Sequence, residues 1–157
     1  SPGLRVGWMI APPELLARAT MCKQFSDAHT STFAQATAAR YLQAGRMPAT
    51  LERVRSVYAQ RAAVMCEALR AELDDAVAFV EPRGGLFVWV RLTGEDGKVA
   101  DGKLFAQKAI EQGVAFVPGA PFYCSQPDTA TLRLSFATAD PDKIREGVAR
   151  LGRALAA

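Results

Sequence analysis

The chain has 157 residues, half of them hydrophobic and 22% charged, with a net charge of +3. That is the size of one ordinary domain with enough apolar material for a core, and the composition is not that of a disordered segment. The basic residues are scattered, which argues against a nucleic-acid-binding stripe, and no apolar run reaches the ~20 residues that a membrane helix needs. Cys22, Cys66 and Cys124 lack metal-ligand spacing and His29 is the single histidine, so no metal site is expected. The three cysteines read as free, buried thiols in a reducing, cytoplasmic setting. Ser1-Pro2-Gly3-Leu4-Arg5 has neither region of a signal peptide. A structured-looking start without an initiator methionine suggests a piece of a longer chain.

In chain order, Arg5–Ile10 reads as a short apolar strand that ends at Ala11-Pro12-Pro13. Pro13 suits the first turn of a helix, with Glu14 near its positive end, and this helix is expected to reach about Lys23. Ser26–Ser31 reads as a loop. Thr32 and Gln35 have capping-box spacing and Gly45 is a stop signal, which predicts a second helix over roughly Phe33–Ala44. From Pro48 a long helix of about 25 residues is expected, with Leu51, Val54, Tyr58, Met65, Leu69 and Leu73 on one apolar face. A domain boundary is placed near Gly45–Pro48.

Beyond it the pattern is mixed. Val77–Val80 reads as a strand, Pro82-Arg83-Gly84-Gly85 as a turn, Leu86–Leu92 as a near-continuous apolar strand and Thr93–Gly97 as a polar loop. Leu104–Gln112 is a helix stopped by Gly113, and Val114–Val117 a short strand. Thr131–Ala137 alternates, with Leu132, Leu134 and Phe136 on one face and Thr131, Arg133 and Ser135 on the other. Asp140-Pro141 starts a last helix lined by Ile144, Val148, Leu151 and Leu155. The order predicts a small α+β or two-layer α/β domain with a helical lead-in.

No self-contained catalytic set is present: there is no triad, P-loop or dinucleotide fingerprint. Two arginines stand out. Arg5 follows a Pro-Gly turn, where its fork can hold an anion or simply face solvent. Arg133 lies mid-strand opposite the core face, where it either faces solvent or lines a cleft and takes a carboxylate.

Pro2-Gly3-Leu4-Arg5-Val6-Gly7-Trp8 resembles the segment after the Schiff-base lysine of class I/II aminotransferases. Gly84-Gly85-Leu86-Phe87-Val88-Trp89 resembles the family's Gly-Gly-aromatic hairpin. Val114–Phe122 resembles its Val-x-Pro-Gly-x-x-Phe segment, and Leu132–Ala137 the strand whose arginine binds the substrate carboxylate. These four ordered matches look most like the 2-aminoadipate/kynurenine aminotransferase and MocR-like group.

The resemblance implies the α/β C-terminal small domain of a fold type I pyridoxal-phosphate-dependent transferase. Residues 1–47 would be a remnant of the large cofactor-binding domain and 48–157 the small domain. It implies pyridoxal 5'-phosphate as cofactor, Arg5 on its phosphate and Arg133 on the substrate α-carboxylate. The reaction implied moves an amino group between an α-amino acid and a 2-oxo acid, in a cytoplasmic homodimer. The Schiff-base lysine would lie three residues before Ser1, so no catalytic residue is expected in this chain, and the chain alone is expected to be inactive. Lys23, in an expected helix without the serine-rich turn, does not replace it; Lys98, Lys103, Lys108 and Lys143 read as surface residues. The Gly84-Gly85 and Pro121-Phe122-Tyr123 loops are candidates for shaping the side-chain pocket, with Trp89 expected in the core. The alternative is the effector-binding domain of a MocR-type regulator, where nucleic acid would be met only through a separate DNA-binding domain.

Overall fold

The computed structural model describes residues 2–94 and 100–157. The chain divides into two compact units, Ser1–Glu52 and Arg53–Ala157.

The first unit is helical. A 3-10 turn at Pro2–Leu4 leads to α1, Pro13–Asp27, and α2, Thr32–Gln43. Pro13 sits at the first helical position and Glu14 in the first turn, as the sequence predicts. α1 runs one turn past Lys23, whose ammonium lies 2.7 Å from the Asp27 carboxylate. The expected Ser26–Ser31 loop therefore contracts to its last four residues. The cap of α2 is displaced by one: the Ser31 hydroxyl accepts from the Ala34 amide, and the Gln35 side chain turns back to the Thr30 carbonyl at 2.8 Å. Gly45 closes this helix at a positive φ of 68°, where a side chain would be strained. Arg5–Ile10 carries no ladder, contrary to expectation. A strand exists through hydrogen bonds to a neighbour, and every strand among the described residues belongs to the second unit's sheet.

The long helix α3, Met47–Leu73, passes from one unit to the other. Its second half supplies Val64, Met65, Ala68, Leu69 and Leu73 to the core at helical spacing. Then follow β1 (Val77–Phe79), β2 (Phe87–Leu92), α4 (Gly102–Glu111), β3 (Val117–Pro118), β4 (Thr131–Ser135) and α5 (Pro141–Ala156). The four strands form one antiparallel sheet in the order β1-β2-β4-β3. Val88, Val90, Leu92, Leu132 and Leu134 form its core face, against a cluster that includes Leu69, Phe105, Ile144, Val148 and Leu151 of α3, α4 and α5. Asp140 caps α5, its carboxylate accepting from the Lys143 amide at 2.9 Å. That carboxyl titrates below its usual range, held there by the Lys143 amide and then by the Lys143 ammonium.

Three expectations change. The strand at Val114–Val117 shrinks to Val117–Pro118, because the Val114 amide donates to the Ala109 carbonyl and so continues the end of α4. β2, expected as a near-continuous apolar strand, alternates in burial, and Phe87, Trp89 and Arg91 face outward. Of the cysteines only Cys66 is buried, where desolvation pushes its thiol pKa up; Cys22 and Cys124 are exposed. All three are free. The Thr93–Gly97 loop lies in part outside the described residues, as does Lys98. No described helix is long and apolar enough to cross a membrane.

Candidate functional site

From Leu132 onward β4 alternates as its residue pattern requires, whereas Thr131, expected on the outer face, is buried. Leu132 and Leu134 are buried, while Arg133 between them takes the opposite face. The antiparallel register sets Arg133 across from Trp89 on β2 and from Val117 on β3. Around the guanidinium lies an aromatic collar. The Arg133 Cζ is 4.2 Å from the Phe87 ring centroid and 4.6 Å from that of Phe122. Such faces carry negative quadrupole charge and favour a cation. Trp89 meets Phe122 edge to face, with centroids 5.8 Å apart, and Tyr123 at 6.2 Å. It is 38% exposed, so it belongs to this outer face and not to the core where the sequence reading put it.

Phe122 arrives on a 3-10 turn, Ala120–Phe122, that is pinned at both sides. Before the turn, the Gly119 amide donates to the Thr131 carbonyl at 2.7 Å. After it, Asp128 accepts from Arg91 Nε at 2.8 Å and from the Ala130 amide at 3.0 Å. The Arg91 hydrogen bond, then the Ala130 amide, holds the Asp128 carboxyl below its usual range. Thr131 closes the loop by donating its hydroxyl to the Asp128 carbonyl.

Arg133 Nε is buried with no hydrogen-bond partner, and no carboxylate among the described residues pairs with the side chain. A buried cationic donor left in that state is costly, and an anion entering the collar would relieve it. A planar fork fits a carboxylate best.

Arg5 lies in the first unit and is exposed. Its backbone follows the Pro2–Leu4 turn at a φ of 54°, a left-handed conformation uncommon outside glycine. The Gly84-Gly85 turn borders a cavity of about 500 Å³ lined by Tyr58, Ala62, Leu86 and Phe136 among others; Arg133 is not in that lining. Of the two loops expected to shape a pocket, the structure thus brings the Phe122 loop to Arg133. Lys23 is committed to Asp27, and Lys143 pairs with Asp140 at 3.0 Å. Among the described residues no group of histidine, cysteine or acidic side chains could hold a metal.

The profile of aminotransferase class I and II matches residues 1–151. The chain belongs to the class I and II aminotransferase family. One curated relative of this aminotransferase chain is the 2-aminoadipate transaminase of Thermus thermophilus. It is 46% identical over 155 residues, which are 99% of this chain and 38% of that protein. MocR of Rhizobium meliloti, described as a probable rhizopine catabolism regulatory protein, is 29% identical over 99% of this chain and 31% of its own length. The solved α-aminoadipate aminotransferase of Thermus thermophilus, complexed with N-(5'-phosphopyridoxyl)-L-leucine, superposes with a TM-score of 0.82 at 42% identity. That match covers 99% of this chain and 39% of the other. The chain therefore spans well under half the length of these relatives. The expected fold, a piece of a fold type I aminotransferase with a mixed α/β domain, is borne out.

The partnership of Phe87 with Arg133 and the Arg91–Asp128 pair are not marked in the sequence. Phe87, Trp89 and Arg91 do share one face of a period-two strand, so their common side was legible. Which strand lies beside them was not.

Proposed function

We propose that the whole protein is a pyridoxal-phosphate-dependent aminotransferase that moves an amino group between an α-amino acid and a 2-oxo acid. In this reading residues 1–47 belong to its large cofactor-binding domain and 48–157 to its small domain. Arg133 takes the substrate α-carboxylate and Arg5 the cofactor phosphate. The observation that carries the reading is the unpartnered buried Nε of Arg133 inside an aromatic collar.

When bound, pyridoxal phosphate supplies the electron sink for removing a proton from the substrate α-carbon. Arg133 holds the carboxylate through two parallel hydrogen bonds, which orients the amino acid. Phe87 and Phe122 pack on the guanidinium, whose Nε is buried, and this lowers the local dielectric and strengthens that pairing. Arg5 holds the phosphate at the other end. No lysine of this chain is given a catalytic part.

The protein is further read as a cytoplasmic homodimer. Its free cysteines fit a reducing compartment. Exposed Trp8, Phe25 and Phe33 in the first unit fit burial against other chain segments; sedimentation of the full-length protein at several concentrations tests the dimer. The 29% likeness to MocR supports a second reading, an effector-binding domain without turnover. The 46% likeness to a transaminase favours the enzyme.

The test is Arg133→Ala in the full-length protein, followed by half-reaction kinetics. A charged hydrogen bond contributes about 1.5–3 kcal/mol, so kcat/KM for α-amino acids should fall about tenfold to 150-fold. Arg133→Lys should recover only part, since an ammonium cannot make the paired contact. An unchanged half-reaction would make Arg133 a scaffold residue. Amino-acid binding without any turnover in the unaltered protein would favour the regulator.

A further inference from the structure

The outer face of the sheet holds more aromatic surface than contact with Arg133 requires. Trp89 lies directly across the β2–β4 ladder from Arg133, yet the ring faces over the guanidinium are those of Phe87 and Phe122. The Trp89 ring instead meets the Phe122 edge to face, at an interplanar angle of 80°, and lies beside Tyr123.

The two rings on the cation are held differently. Phe87 projects from β2, and the ladder fixes its direction. Phe122 projects from a short 3-10 turn and is half exposed. The turn's hydrogen bonds, Gly119 amide to Thr131 carbonyl and Phe122 amide to Gly119 carbonyl, fix its backbone. They do not themselves fix the direction of the Phe122 side chain. Among the described residues, the Phe122 ring meets the Trp89 ring and the Arg133 cation.

We propose that Trp89 is a positioning residue for carboxylate binding: it holds the Phe122 ring against Arg133 and thereby sets the direction of the guanidinium fork. The inference rests on the reading of Arg133 as the carboxylate ligand. With Phe122 in place, Arg133 Nε stays dry and the side chain loses little freedom when an anion arrives. With Phe122 swung away, water reaches the guanidinium and the fork must be reordered at each binding event. Affinity for the carboxylate then falls, while the groups that act on the reacting bond are untouched. A loss of that kind raises KM and leaves kcat nearly unchanged.

The full-length protein is assayed in the half-reaction with L-norleucine and with pentylamine, which has the same chain but no carboxylate. Trp89→Ala should raise the saturation constant for L-norleucine about three- to tenfold, from the size of a cation–π contact. The limiting rate should stay within about twofold and pentylamine should be unaffected, since uniform binding is what is lost. Trp89→Phe, which keeps an aromatic edge, should restore most of the affinity. Phe122→Leu, a change on a surface turn, should reproduce the effect and serves where Trp89→Ala does not fold. An equal loss for norleucine and pentylamine marks Trp89 as merely structural and overturns the proposal, as does Phe122→Leu with an unchanged norleucine constant. Arg133→Ala is run beside them. If it leaves norleucine unaffected, the carboxylate reading itself falls; if it harms norleucine while Trp89→Ala and Phe122→Leu do not, only the positioning role falls.

Discussion

Gly119 shows how one missing Cβ places the collar. A Cβ built there would overlap the Thr131 hydroxyl and stand 2.7 Å from the Thr131 Cβ, so the loop that delivers Phe122 lies closer to β4 than any side chain permits. Gly147, inside α5, has nothing within 4 Å of the same position. The two sites therefore respond with opposite sign to one substitution. Gly119→Ala should destabilise the protein by about 1–3 kcal/mol through overpacking. Gly147→Ala should stabilise it by about 0.5–1 kcal/mol, because alanine loses less chain entropy in a helix. Urea unfolding at unchanged m-value reads both. A neutral Gly119→Ala would mean that the loop does not depend on this close approach. Neither difference was visible in the sequence, where both positions are simply Gly.

At the scale of elements, α3 carries one apolar stripe in sequence but two environments in space. Leu69 is completely buried in the second unit's core, whereas Leu51, five turns earlier on the same predicted face, remains exposed. Periodicity reports which side of a helix is apolar, and burial also needs something to cover that side. Leu69→Ala should cost about 2–5 kcal/mol, since the surrounding side chains of three helices and the sheet cannot all collapse into the gap. The denaturant midpoint of the second unit measures it, and a loss below about 1 kcal/mol would contradict a close-packed core at Leu69. α5 was read more fully: Ile144, Val148 and Leu151 are all buried as its spacing predicts, and the Asp140 cap stands where expected. β3 was read least well, because the Val114 amide had an equally good local acceptor in the end of α4.

For the molecule as a whole, the two arginines belong to different compact units, Arg5 to the first and Arg133 to the second. The proposed roles then predict separable defects in the full-length protein. Arg5→Ala should speed cofactor dissociation on the order of tenfold, as the loss of a charged hydrogen bond to phosphate implies, with a smaller change in discrimination among amino acids. Arg133→Ala should do the reverse. Cofactor release followed by absorbance, beside the half-reaction rates, separates them. Equal effects of both substitutions on both readouts would show that the arginines support the structure and do not divide the ligands between them.

Local residue order was enough to determine the sequence of helices and strands in the second unit, the core faces of β4 and α5, and the helix starts at Pro13 and Asp140. Each depends on spacing or on a cap within a few residues. The motifs around Arg5 and Arg133 were likewise legible, through their resemblance to a family. The tertiary structure alone decided that Trp89 lies across the ladder from Arg133, that Phe87 and Phe122 cover its guanidinium, and that Asp128 ties the covering loop to Arg91. Those pairs are 37 to 46 positions apart or join a loop to a strand. Strand register and loop path bring them together, and a period of two along β2 describes its faces equally well beside any neighbour.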